Sequence, residues 1–309
     1  MNQLETTIQD YLAYCQSQKR LDAKTLKAYR IDLTQFQNKI SISNTAHITS
    51  QTLEDYIAVL HQNYKPKTVK RKIASLKAFF HYLEYREIIS SNPFHRMQIK
   101  FREPVVLPKT IPLPTLETFL STIYTQRITA TTEYQRKTAL RDAAIIELLF
   151  ATGIRISELC SLHKHDVNLF EKTILIYGKG SKERKVQIGN DDVIDILKEY
   201  RKTYSDKSEN SDYFFINQSG TPVSDQAIRR MIKKYSSLAA IDLHITPHMF
   251  RHTFATSLLE ADVDIRYIQE ILGHSSINIT EIYTHVAMAK QREILTTKHP
   301  RNGFRVGDR

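Results

Sequence analysis

A mainly α-helical protein of two domains, the second carrying a small β-hairpin, is the fold class that three observations predict. The chain has 309 residues, beyond the commonest size for one domain. Apolar residues recur at helical spacing over most of it, and one stretch alone switches to short strand-like runs. The segment QIKFREPVVLPKTIPLP carries Pro104, Pro108, Pro112 and Pro114, a density that stops helix propagation and favours a stiff, extended connector. The expected division is a helical module over residues 1–100, a linker over 101–114 and a mostly helical second domain over 115–309.

The elements follow in order. Leu4, Ile8, Tyr11 and Leu12 mark a first helix, and Leu26, Tyr29, Leu33 and Phe36 a second. The spacing predicts a third over Thr52 to Gln62 and a fourth from about Thr68 to Glu87, where Val69, Ile73, Leu76, Phe79, Phe80 and Leu83 form a broad apolar stripe. Beyond the linker, RDAAIIELLFATG reads as a helix closed by Gly153, with Ser157 as N-cap of the helix that continues past it. TILIYG and KVQIG read as two short strands around a polar turn, with Lys179 on a flexible tip. TPHMFRHTFATSLLEAD reads as a helix capped by Thr246 with Pro247 at its first position. RYIQEILGHSS reads as a helix ended by Gly273, with Ser275 or Ser276 starting the next.

Composition narrows the function classes. The hydrophobic share of 41% is enough for real cores, and the 25% charged share argues against disorder. The formal charge is +11 and the pI near 9.4, which favours a polyanionic partner such as double-stranded DNA. Residues 1–100 hold 15 Lys and Arg against 8 Asp and Glu, while the remainder holds 29 against 25. The excess therefore concentrates in the smaller module, and Lys65, Lys67, Lys70, Arg71 and Lys72 at the opening of the fourth helix are its candidate DNA contacts. Cys15 and Cys160 match no metal spacing and fit a reduced, cytoplasmic compartment. The N-terminus lacks the pattern of a secretory signal. The most apolar run, AAIIELLFA, is too short for a membrane span, so a soluble protein without membrane contact is expected.

The candidate chemistry lies in residues 155–283. Arg155 follows the Gly153 turn, where few rotamers remain. On the TPHMFRHTFAT helix, Phe250, Phe254 and Leu258 share one side, while His248, Arg251, His252 and Ala255 share the other. His248 and Arg251, three apart, point together. His244, His248 and His252 recur every four residues, yet Pro247 breaks a continuous helix through His244 and no glutamate follows His248, which argues against a zinc site. GKGS is not a P-loop, because a glycine follows Lys179. Tyr283, with an ordinary pKa of about 10, needs a base or cationic neighbours to act as a nucleophile. Arg155, Lys179, His248, Arg251, His274 and Tyr283 together supply cations, proton carriers and a phenolic oxygen, the parts needed to open a phosphodiester without a metal or other cofactor.

The stretches ATGIRISEL, GKGSKER, TPHMFRHTFAT, LGHSS and IYTHV, in this order, resemble the tyrosine site-specific recombinases, the phage integrase family, close to the bacterial Xer type. The helical, basic N-terminal module is similar to the family's core-binding, SAM-like domain, and KHPR near the C-terminus is also Xer-like. The resemblance implies that Arg155 and Arg251 grip the scissile phosphate, that Lys179 protonates the departing 5′ oxygen, and that His248 accepts the tyrosine proton or hydrogen-bonds the phosphate. It further implies that His274 donates a hydrogen bond and that Tyr283 attacks to give a 3′-phosphotyrosyl link. Glu158 would orient the Arg155 region from behind. Phe250 stands where the family more often has leucine.

The function so implied is cleavage and rejoining of DNA recombination sites by a homo-tetramer, or by a hetero-tetramer with a second recombinase, in dimer resolution or in excision and integration. No arm-binding segment precedes the basic module, which favours the simpler Xer-like role. An integrase of a transposon, island or phage is the alternative. A non-catalytic DNA-binding regulator and a type IB topoisomerase are further readings, opposed by the full catalytic set and by the helical arm. An amphipathic stretch after Tyr283, with Val286, Met288, Ile294 and Leu295, is expected to dock on a neighbouring protomer.

Overall fold

The computed structural model describes residues 3–40, 42, 44–99, 108–178, 183–208 and 211–273. The chain divides into two compact units, Met1–Val106 and Leu107–Arg309. Among the described residues, no helix is long and apolar enough to cross a membrane.

The first unit is built of helices α1 (Gln3–Ser17), α2 (Ala23–Lys39), α3 (Ser50–Asn63) and α4 (Pro66–Tyr85), with 3₁₀ turns at Thr45–His47 and Pro93–Arg96. Local chemistry sets their starts. Asp22 accepts the Thr25 N–H at 2.9 Å to open α2, and the Thr49 hydroxyl accepts that of Thr52 to open α3. Each such cap contributes about 1 kcal/mol. α3 and α4 begin two residues before their expected starts, because Thr49 is the cap and Pro66 takes the first turn of α4. The end of α4 at Tyr85 falls short of Glu87, which adopts a left-handed φ of 56°.

The apolar stripe of α4 is the spine of this unit. Phe79 and Phe80 are fully buried, and Phe80 meets Phe36 of α2 edge-on at 6.1 Å. Burial of each such ring is worth about 1.5–3 kcal/mol. The basic opening of α4 divides between surface and interior. Lys65, Lys67 and Lys70 are exposed. Lys72 is buried, its ammonium 3.0 Å from Asp32 Oδ1 and also donating to Gln35. Arg71 is half exposed and paired with the other oxygen of Asp32. The expectation that Lys72 faces DNA is therefore corrected: it turns inward because buried Asp32 has to be matched by charge.

The second unit gathers around α6 (Glu133–Thr152), whose Ala143, Ala144, Ile145, Ile146, Leu148 and Leu149 are all buried. A helix apolar around most of its circumference must be surrounded. Its neighbours are α5 (Leu113–Ile128), α8 (Asp191–Thr203) and α11 (Pro247–Glu260). The remaining helices are α7 (Ile156–Cys160), α9 (Ser205–Ser208), α10 (Asp225–Leu238) and α12 (Ile265–Leu272). Strands β1 (Val167–Asn168), β2 (Thr173–Tyr177) and β3 (Glu183–Gln187) form an antiparallel sheet in that order, and Ile176 of β2 pairs with Arg184 of β3. The hairpin matches the sequence expectation, with β3 starting earlier, at Glu183. β1 was not anticipated, because two residues carry no readable alternation.

Candidate active site

The site starts at a glycine. Gly153 closes α6 with φ 61°, and a Cβ there would stand 2.5 Å from Phe254 Cδ1 and 2.9 Å from Leu272 Cδ2. Both the left-handed backbone and the close approach demand glycine. The chain then turns through buried Ile154 into Arg155, which is the N-cap of α7. The expected N-cap, Ser157, lies inside the helix instead. The difference arises because Glu158, at the third helical position, accepts the Arg155 backbone N–H at 2.8 Å and so starts the helix two residues earlier.

Glu158 is buried and shared between two guanidiniums. Arg155 Nη1 donates to Oε1 at 2.8 Å. Arg184 approaches from β3 with its fork, Nη1 to Oε1 at 3.0 Å and Nη2 to Oε2 at 2.7 Å. Burial opposes ionisation of Glu158, but hydrogen bonds from Arg184 and from the Arg155 backbone and side chain outweigh it and hold its pKa below the usual carboxylate range. Arg184 Nε also donates to Ile271 O at 3.0 Å, near the end of α12.

Arg251 is buried in α11, where it closes the other side of the arrangement. Its Nη1 donates to Gly153 O at 2.8 Å and its Nη2 to Leu272 O at 2.7 Å. These carbonyls sit at the ends of α6 and α12, where helices leave acceptors unsatisfied and carry partial negative charge. Those ends help to stabilise the buried cation. His248 is exposed in the first turn of the same helix. His252 is mostly buried, and burial, aided by the neighbouring His248 and Arg251, pushes its pKa below the ordinary value.

The expected faces of α11 are partly redrawn. Phe250 does enter the main core, meeting Phe119 at 6.0 Å. Phe254 and Leu258 instead pack with Ala255, Ile268 and Leu272 in a separate small cluster between α11 and α12. Arg251 and Ala255 are buried rather than solvated. His244 lies ahead of α11, off the helix that carries His248 and His252.

Arg155, Glu158 and Arg184, together with Gly178 and Gly273, line an open cleft of about 1250 Å³. The structure thus brings Arg155, Arg251 and Glu158 into one neighbourhood, reached by the end of β2 and the end of α12. Lys179, His274 and Tyr283, like the stretch after Tyr283, lie outside the described residues. Lys67, Lys70 and Arg71 belong to the first unit on α4, and Lys65 is the N-cap of that helix. Sequence reasoning missed Arg184, whose only local signal was a basic residue at an inward position of a strand. It also missed a second exposed basic row, Arg229, Arg230, Lys233 and Lys234 on α10.

Comparison with known proteins places the chain. The model of the phage integrase family matches residues 119–290, and that of the phage integrase N-terminal SAM-like domain matches residues 8–87. A tyrosine recombinase of Agathobacter rectalis is 67% identical, covering 98% of this chain and 99% of that protein. Tyrosine recombinase XerC of Oceanobacillus iheyensis is 34% identical over 97% of this chain and 98% of its own length. Among solved structures, XerH bound to a palindromic difH substrate aligns with a TM-score of 0.73 at 25% identity, covering 88% of this chain and 79% of that one. Two guanidiniums gathered where α6, α7 and α12 meet are thus found in a chain that belongs to the phage integrase family, an Xer-like tyrosine recombinase.

Proposed function

We propose that this recombinase cleaves and rejoins double-stranded DNA sites with Arg155, Lys179, His248, Arg251, His274 and Tyr283 as its catalytic residues. The observation that carries the reading is Arg251, whose guanidinium ties the ends of α6 and α12 together directly beside the turn that presents Arg155. Two fixed cations of this kind can hold the non-bridging oxygens of one phosphate and take up the charge that builds in the transition state. The Tyr283 oxygen attacks phosphorus as its proton passes to His248. The 5′ oxygen leaves with a proton from Lys179, and His274 donates a further hydrogen bond to the phosphate. The 3′-phosphotyrosyl bond conserves the energy of the broken phosphodiester, so attack by a 5′ hydroxyl reverses the step without ATP or a metal.

In this reading residues 1–100 form the core-binding domain, 101–114 the linker and 115–309 the catalytic domain. Exposed Lys65 at the N-cap of α4, Lys67 and Lys70 on that helix, the half-exposed Arg71, and the basic row on α10 supply the charge that a duplex backbone attracts. The XerH structure was solved on its DNA substrate, and a lambda integrase of the same fold was solved as a tetramer on a Holliday junction. These support an enzyme that works as a tetramer on two sites, of one chain or with a second recombinase.

The test uses host genomic fragments. Adducts that survive denaturation are collected and sequenced, and a nicked duplex of the recovered sequence is built. Native protein is expected to become trapped on that duplex, and Tyr283→Phe to form no adduct. An adduct with the phenylalanine variant would assign the nucleophile elsewhere.

A further inference from the structure

Arg184 lies outside the six catalytic residues, yet it touches three of the elements that meet at the cleft. From β3 it grips both oxygens of Glu158 and also the Ile271 carbonyl. A Cβ on Gly273 would stand 2.9 Å from its Cδ, so the end of α12 is packed directly against the Arg184 side chain. Its own strand pairs Arg184 with Ile176, three residues ahead of Lys179 in the sequence. The side chain is 12% exposed, and that of Arg155 is 35% exposed. Both arginines line the cleft; Arg184 is the deeper partner of Glu158, and Arg155 is the more exposed.

The charge balance gives this arrangement a consequence. One carboxylate between two guanidiniums leaves one net positive charge, and the deeper, two-point pair belongs to Arg184. Without Arg184, buried Glu158 would have Arg155 as its cationic partner among these three residues, and that pair would be neutral. A phosphate would then meet an arginine already matched by a carboxylate.

We infer that Arg184 is a positioning residue for strand cleavage, which neutralises Glu158 and braces β3 against the end of α12 so that Arg155 keeps its charge and direction for the phosphate. This rests on Arg155 holding the scissile phosphate as proposed above. The residue acts through Arg155 and need not touch DNA itself. A lysine could not replace it, because a single ammonium cannot span both carboxylate oxygens and the Ile271 carbonyl.

Single-turnover cleavage of the nicked duplex, measured beside binding of the same duplex, tests this with the full-length protein. Arg184→Gln is expected to slow cleavage about 10- to 100-fold while changing affinity by less than about threefold. Adding Glu158→Gln to that variant removes the carboxylate that would otherwise claim Arg155 and is expected to restore part of the rate. A native rate for Arg184→Gln, a loss confined to affinity, or a further slowing by Glu158→Gln overturns the inference. If Arg184→Gln does not fold by circular dichroism, Arg184→Lys, which keeps the charge and loses the fork, is expected to slow cleavage with affinity unchanged, and a native rate for it overturns the inference. Absence of an adduct with native protein would instead remove the proposed function on which the inference stands.

Discussion

Asp32 in the first unit and Glu158 in the second are both buried carboxylates shared between two cations, and they serve different ends. Asp32 takes Arg71 and Lys72, neighbours on a single helix, and adds the Ser75 hydroxyl at 2.8 Å. Its cluster joins α2 to α4, and Lys72 also lies over the exposed Tyr64 ring at 4.9 Å. Glu158 takes cations from two different elements, a helix N-terminus and a strand, and opens on a cleft. Ion pairing alone therefore does not mark a functional site. Each cluster keeps one cation at the surface, so what separates the two is how many independent segments the carboxylate gathers and whether they line a cleft.

Breaking the first cluster should produce the largest effect, and on stability alone. Asp32→Ala leaves the Lys72 ammonium buried without its carboxylate, a change that costs about 3–5 kcal/mol. Urea denaturation is expected to show that loss, with cleavage per folded molecule unchanged. A stability loss below about 1 kcal/mol would mean that Lys72 escapes to solvent and that the cluster is not a buried one.

The second cluster should show itself in acid. The folded pKa of Glu158 is depressed, so its stabilisation is complete above the unfolded value of about 4.3 and is lost as pH falls through the lower folded value. Unfolding free energy measured against pH should therefore decline below about pH 4.3, and Glu158→Gln should flatten that part of the curve. An acid limb unchanged by the substitution would show that the two guanidiniums do not stabilise the carboxylate.

The smallest effects belong to the surface cations of α4. Lys67→Ala and Lys70→Ala should leave stability within about 0.5 kcal/mol and each reduce the salt slope of DNA binding by about one. A salt slope untouched by both would remove α4 from the DNA surface and leave the basic row on α10 as the larger contributor.

The same contrast explains what the sequence disclosed. Signals written within a few residues were legible: Gly153 and Gly273 as left-handed helix ends, Pro247 at the start of α11, and the stripe of α4. The charge run on α4 was read as one surface because Lys72 is told from its neighbours only by Asp32, 40 residues earlier. Arg184 was overlooked for the same reason, since its carboxylate partner lies 26 residues away. Helical periodicity reports which face is apolar. It does not report where a charge on the other face will find its match, and on α11 Arg251 proved to be interior while His248 on the same face is exposed. The proposed catalytic set was readable because each member sits in a short, particular motif, whereas Glu158 and Arg184 are matched across a longer stretch of chain.

The two hydrogen bonds of Arg251 also carry a timetable. One spans 21 residues, to Leu272, and the other 98, to Gly153. Closing the longer loop costs about 1.4 kcal/mol more in chain entropy, which favours contact of α11 with α12 ahead of the longer closure to Gly153. During synthesis Arg155 emerges long before its partner arginine exists. With the roles proposed above, a growing chain holds half of the phosphate grip, and the capacity to cut DNA arrives only once Tyr283 has been made.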